Sequence, residues 1–517
     1  MSRLPLAYGS RLALVDAGED AVVLAPPPPA EPIADVAAAV RDALRFPLEG
    51  QPLEAMVSRG ARATIVVEPP SLPIPGSLGD PRRAAIAATM LELDRAGATF
   101  DKQTLLVAGG LGRRAGHREL ELLVPPDFAR RFHGRVEVHD AESEDLVEIP
   151  DADRPLRVHP ALVETDLVVP VTAAETVLHG GAAALLAAAD PQAMRAANAY
   201  SLLETSGSSG WRLSLGLERA LARRVALLGV SLTLNTTALG GVLHGYPYDR
   251  ETVDRIANFP LRGLFGLVPG PVRRGVLRRL HSDLSAAGVF AGPPSVAHAE
   301  ALLRGVESKA MRLEERLDVI CIGVPHTTAM LPREAPNPMS AAYLALGLAL
   351  RLWRDEFPVN EGGTAILLSR FTKRFPHPTQ QPFRALFQAA RSSGARNPED
   401  LAEAEQLAGS DDRAIETYRA GRSCHPLLPF AEWSACQPAI ERLGAVLVAG
   451  CRDATAARQL GFVPAHGIGP ALEMAHGRAA GPPRIGYLLS PPYFPLRVGA
   501  GYSTPTEASL AMPASEC

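Results

Sequence analysis

The sequence predicts an α/β protein of two domains with parallel-type sheets, a helix-rich middle and a cleft between the halves. Three observations predict it. Short apolar runs, such as "ATIVV" at 63–67, "TLLV" at 104–107 and "DLVVPV" at 166–171, alternate with longer amphipathic stretches. That alternation marks βαβ units whose strands are buried on both faces. The pattern returns in the second half, with "DVICIGVP" at 318–325 and "GGTAILLS" at 362–369. Finally, 517 residues exceed what one hydrophobic core organises. The expected division is 1–290, with a mostly helical segment at 185–290, and 291–510, with a polar, proline-containing insertion at about 371–435. Both halves are expected to be Rossmann-like.

The elements follow in order. "AVVLAPPPPAEP" is a strand and a proline connector, and "IADVAAAVRDALRFP" a helix that proline ends. "RATIVVEPPSLPIPGS" is a buried strand opening into a proline-rich loop. "PRRAAIAATMLELDRAGA" is a helix with a glycine stop. "QTLLVAGG" is a strand, "HRELELLVPPDFARRFH" a mostly helical stretch, and "RVEVHDA" and "ALVETDLVVPVT" are strands. Residues 185–300 read as mostly helix, broken by "ETSGSSGW". "VAHAEALLRGVESKAMRLEERL" is a long helix feeding the strand "DVICIGVPH". "NPMSAAYLALGLALRLWRDEF" is a helix, and "PAIERLGAVLVAGC" and "PRIGYLLSPPY" supply the last helix and strands.

Composition narrows the partners. Apolar residues make up 47% of the chain and the net charge is −4, so the fold is globular. There is no electrostatic case for nucleic acid or an anionic membrane as partner. The five cysteines show no metal or redox spacing, and the first residues lack a signal-peptide core. No apolar run is long enough to span a membrane, and a cytoplasmic location is expected. The oligomeric state is left open. Lysine chemistry is confined to Lys102, Lys309 and Lys373.

The loop "LLVAGGLGRRAGHREL" carries Gly110, Gly112 and Gly116 after a strand, and Asp140 ends the next strand. This permits a dinucleotide reading, in which the acid binds a ribose hydroxyl. A P-loop is excluded, because no Gly-Lys-Ser/Thr follows.

A larger pattern is the strand, proline loop, helix and strand leading into "GGLGRRAGHREL", followed by "VEVHDAESEDLVEI", "TDLVVPV" and "HGGAAALL". It resembles the N-terminal domain of the nickel-pincer lactate racemase family. "LGAVLVAGCRDATAARQLGFVPAHGIGPALEMAHGRAAGPPRIGYL" resembles that family's C-terminal domain. The resemblance implies two α/β domains closing over a cleft, a nickel pincer tethered to a lysine, and histidines serving as acid and base. Residue by residue it is incomplete. Ser71 and Leu72 stand where the family has threonine and a carboxylate-binding arginine. Gly110, Arg113 and Glu119 match, while Gly112 takes the place of a catalytic histidine. Gly180 and Gly181 match the glycine pair, Ala183 takes the tether lysine's place, and Glu175 lies near the place of the family histidine. The second domain's lysine is missing near Gly347. No cofactor is therefore expected.

The candidate catalytic residues are His139 and His326, which close predicted strands, and His117 at a helix start. Strand ends are where parallel sheets bind ligands, and an imidazole titrates near neutral pH. The candidate substrate-binding residues are Arg113, Asp140, Thr327, Thr328, Gly180 and Gly181, with Arg113 holding a carboxylate. No metal ligands are assigned. The leading reading is binding of a small carboxylate or hydroxy acid, with isomerase-type chemistry if the protein is an enzyme. Two alternatives stay open: a non-catalytic binding or assembly protein of the same fold, and a dinucleotide-dependent enzyme using the Gly110–Gly116 loop.

Overall fold

The computed structural model describes residues 2–18, 21–69, 79–150, 155–260, 267–278, 282–325, 336–375, 377–393 and 398–499. Two mostly parallel sheets organise them. The first runs Ala286–Gly292, Gly229–Leu234, Leu167–Ala173, Ala63–Val67, Gln103–Val107, Arg135–Val138. Its pairings are parallel except that of Ala286–Gly292 with Gly229–Leu234. Numbered along the chain from Ala63, these strands lie in the order 6-5-4-1-2-3. The chain builds one side of the sheet from its first strand and then crosses back to build the other. The crossing point lies between Ala63–Val67 and Leu167–Ala173, both buried along their whole length.

The helix expected after the first strand spans Pro81–Ala96. Asp80 caps it, Pro81 starts it without a backbone donor to satisfy, and Gly97 stops it at φ 118°. The stretch 117–133 holds only two short turns, His117–Leu120 and Pro126–Ala129. Pro125 and Pro126 between them supply no amide hydrogen to continue a helix. The middle also differs from expectation. Between helices Ser209–Ala222 and Pro294–Lys309 it contributes strands Gly229–Leu234 and Ala286–Gly292 to the first sheet.

The second sheet runs Arg11–Ala17, Ser2–Gly9, Leu317–Pro325, Val359–Leu368, Ala445–Ala449, Val463–Ala465. Ile485–Leu488 also pairs with Leu317–Pro325 and carries Val22–Leu24 on its other side. Strands Ser2–Gly9, Arg11–Ala17 and Val22–Leu24 thus belong with the C-terminal half, so sheet membership does not follow the 1–290 and 291–510 division throughout.

The two halves share one buried core, in which Ala174, Val177, Leu202 and Trp211 cluster with Ile320, Leu344 and Trp433. Arg351, 1% exposed, joins them through polar contacts. It donates to the carbonyls of Gly347, Ala199 and Tyr200 and to Asn198 Oδ1, so a buried charge is fully engaged. The insertion forms helices Gln381–Ser393, Ala402–Gly409 and Asp412–Arg419. Its last turn lies over the loops that follow strands Gln103–Val107 and Arg135–Val138. Tyr418 Oη accepts from Ala141 N at 3.2 Å, His425 N donates to Leu111 O at 2.9 Å, and His425 Nε2 meets Glu142 Oε1 at 2.8 Å. No helix among the described residues is long and apolar enough to cross a membrane.

Candidate functional site

In open parallel sheets ligands sit beyond the carboxyl ends of the strands, at the point where the strand order reverses. Here that point is occupied by charge. Glu68 directly follows the first strand, Thr172 is the next-to-last residue of the strand beside it, and Glu175 lies two residues past that strand's end. Helix Pro81–Ala96 brings Arg82 and Arg83 over them, both buried. A small, partly open pocket lies among Glu68, Asp80, Arg82, Arg83 and Thr172. Its other wall is apolar, from Ile86, Leu122, Leu123 and Val171.

The charges are closely arranged. Arg82 Nη2 lies 2.6 Å from Asp80 Oδ2, and Arg83 donates to Val124 O at 2.9 Å. Lys309, on the last turn of helix Pro294–Lys309, donates to both oxygens of Glu175 at 2.8 Å. Gly180 N donates to Glu68 Oε1 at 2.8 Å, and Gly181 N to Thr172 Oγ1 at 2.9 Å. Both glycines have positive φ, 90° and 52°, which turns their amides toward the pocket. Glu68 is half-buried, and the crowding of its carboxyl by protein pushes it up to about 7, against the opposing pull of the Gly180 amide and Arg82. Behind the glycines stand two histidines. His298 donates from Nε2 to Thr176 O at 2.9 Å, and His179 Nδ1 meets Thr176 Oγ1 at 2.9 Å. Burial lowers both rings to about 4, so both are neutral.

The residues expected from sequence are scattered relative to this pocket. Gly180 and Gly181 belong to it. His139 follows Val138, which aligns with Val107 and so with Val67. Its ring, however, is 2% exposed, donates to Ala189 O at 2.9 Å and packs on His159. Burial lowers it to about 4, so it is a neutral ring packed into its own scaffold. Asp140 lies between Arg114 and Arg419 at 3.6 and 3.5 Å. Arg113 pairs with Glu119 of its own loop, and His117 is an exposed side chain 3.3 Å from Glu121. His326, Thr327 and Thr328 lie outside the described residues, as do Ser71 and Leu72.

The dinucleotide reading needs its glycine loop after the first strand, where the order reverses. The Gly110–Gly116 loop follows the second strand and is bonded by the insertion. Sequence reasoning missed Glu68, Arg82, Arg83 and Thr172. The available signal was a glutamate directly after a fully buried strand, followed by an Asp-Pro-Arg-Arg helix start.

Residues 8–180 match the lactate racemase N-terminal domain family. The match spans about a third of the chain and makes that part similar to a lactate racemase N-terminal domain. No curated protein matches the sequence. Among solved structures, the lactate racemase apoprotein from Thermoanaerobacterium thermosaccharolyticum aligns at TM-score 0.60 and 14% identity, over 96% of this chain and 100% of that one. The racemase fold therefore extends through both halves. A protein from Thermotoga maritima aligns more loosely, at TM-score 0.47 and 10% identity, over 91% of this chain and 99% of that one.

The resemblance to lactate racemase would place a lysine-tethered nickel pincer near Gly180 and Gly181, where the structure has small, packed residues. Ala183, in the tether lysine's place, is 5% exposed in the first turn of helix Ala182–Leu186. Of the three lysines, Lys309 approaches this end of the sheet and is held by Glu175, while Lys102 precedes a strand at the opposite end. Gly112, in the histidine's place, would put a Cβ 2.9 Å from Gly109 O, so the loop as folded does not admit a side chain.

Proposed function

We propose that the protein binds a small hydroxy acid, or a related polar carboxylate, in the pocket at the strand crossing, without a lysine-tethered nickel pincer. The observation that carries this reading is the pocket itself, where two arginines and a threonine hydroxyl face an apolar wall. A short 2-hydroxy acid has the complementary layout: a carboxylate for the guanidinium side, a hydroxyl for Glu68 and Thr172, and an alkyl group for Leu122, Leu123 and Ile86. If the pocket is catalytic, the family points to isomerase-type chemistry, the interconversion of hydroxy-acid configuration. A second reading, binding without catalysis, is favoured by the histidines: His139, His179 and His298 are neutral, buried and engaged by their own scaffold.

The first test is direct. After co-expression with the enzymes that make the pincer, the intact mass is expected to equal that of the bare chain, with no stoichiometric nickel. A stable mass adduct with bound nickel overturns that part. Calorimetric titration with sodium L-lactate is expected to show binding, and chiral chromatography after incubation separates catalysis from binding alone. Arg113→Ala is expected to leave lactate affinity unchanged and to shift stability by less than about 1 kcal/mol, as for exposed ion pairs. A loss of binding in that variant would move the site to the Gly110–Gly116 loop.

A further inference from the structure

The pocket contains one carboxyl more than its ion pairs account for. Asp80 is paired with Arg82, and Glu175 with Lys309. Among the described residues Glu68 has neither ion pair nor side-chain donor; its hydrogen bond is to the Gly180 amide. It nonetheless shares the pocket with the group that a ligand must meet.

Resting on the proposed hydroxy-acid reading, we infer that ligand binding and proton binding are coupled at Glu68: the pocket takes up one proton from solvent as it takes up a carboxylate, and returns it on release. The charges facing Glu68 decide this. From the helix come Arg82 and Arg83, with Asp80 at its cap; from the neighbouring strand comes the neutral Thr172 hydroxyl; from the loop comes the Gly180 amide. Behind them the Glu175–Lys309 pair sums to zero, and His179 and His298 are neutral. Of the lining residues, Arg82 and Arg83 carry positive charge, while Asp80 and an ionised Glu68 carry negative charge. Protonating Glu68 removes one negative charge from a pocket that has to admit a carboxylate. A protonated Glu68 also gains an O–H to donate to the ligand, where an ionised one would repel it across a poorly solvated gap. Only an O–H bond forms and breaks.

The direction of the pH dependence follows. Hydroxy acids are fully ionised throughout the neutral range, so the complex holds more protons than the free protein wherever free Glu68 is ionised. Burial already brings that carboxyl to about 7. Affinity is therefore expected to be flat below about pH 6 and to fall by up to about tenfold per pH unit above about pH 8, until the bound form also ionises.

The experiment is calorimetry with sodium L-lactate on the full chain from about pH 6 to about pH 9, in phosphate and in Tris, whose ionisation heats differ. The wild-type protein is expected to take up close to one proton per lactate at the alkaline end. Glu68→Gln, isosteric with the protonated acid, is expected to bind with no pH slope and no buffer-dependent heat. Buffer-independent heat in the wild type, or the wild-type slope persisting in Glu68→Gln, overturns the coupling while leaving the pocket reading intact. Absence of lactate binding at every pH overturns the pocket reading and the coupling with it. The two-buffer measurement needs only the wild-type protein, so it decides the matter even if the variant fails to fold.

Discussion

Gly181→Ala is expected to destabilise the protein by about 3 kcal/mol or more and to abolish ligand binding, the sum of backbone strain and overpacking. Gly181 has φ 52° and ψ −126°, at the start of helix Ala182–Leu186. L-residues rarely adopt this conformation. Space is also lacking: a Cβ would stand 2.4 Å from His298 Cβ and 2.7 Å from Pro294 O. Neither neighbour is a flexible side-chain tip. One is a backbone carbonyl, and the other is the root of a fully buried ring held by Thr176. Any shift would also move the Gly180 amide from Glu68. Chemical denaturation checks the magnitude, with Gly50→Ala as the control. Gly50 has φ 90° and nothing within 4 Å of its Cβ, so strain acts alone there and about 1–2 kcal/mol is expected. Equal effects at the two positions would show that crowding at Gly181 is relieved by movement.

Lys309→Ala is expected to cost about 3–5 kcal/mol, the range for breaking a buried ion pair from one side. The lysine and Glu175 side chains are 9% and 14% exposed, and their contact is bidentate. Removing the amine leaves a carboxylate enclosed beside the strand crossing, with a weaker pull from Arg82 remaining. The combined variant Lys309→Met, Glu175→Leu is expected to recover most of the loss, because the charge and its partner leave together. Stability of the single and double variants in denaturant completes the cycle. A single variant within about 1 kcal/mol of wild type would place the pair in the class of solvated contacts.

These two sites show what sequence reveals and what it conceals. Strands Ala63–Val67 and Leu167–Ala173 are legible because a strand covered on both faces is mostly apolar, each here holding a single threonine. Gly180 and Gly181 are legible because only glycine tolerates their backbone. Gly229–Leu234 and Ala286–Gly292 escaped: Ser231 and Thr233 are buried on one, and small alanines and glycines make up most of the other, so neither shows a strand's apolar signature. Glu68 escaped for a topological reason. Its importance comes from the fourth strand lying beside the first, and strand order is not a local property of the chain. The same holds for Lys309 and Glu175, which are 134 residues apart. His139 was a sound expectation from its place at a strand end, but nothing local distinguishes a ring turned toward a ligand from one packed against Ala189.

The sharing of the second sheet between the chain's first and last segments has a consequence for synthesis. Strands Ser2–Gly9 and Val22–Leu24 leave the ribosome well ahead of their partners, Leu317–Pro325 and Ile485–Leu488, which follow hundreds of residues later. The intervening sheet, Ala63–Val67 through Ala286–Gly292, is complete well before then. The opening hairpin, Ser2–Gly9 against Arg11–Ala17, must therefore wait with one edge unmatched while a whole domain forms behind it. Such waiting exposes a nascent strand to stray pairing and makes the second sheet the slower to close. A circularly permuted gene that places residues 2–24 after Leu488 would let each sheet finish in a single pass of translation, converting a long-range wait into a short one.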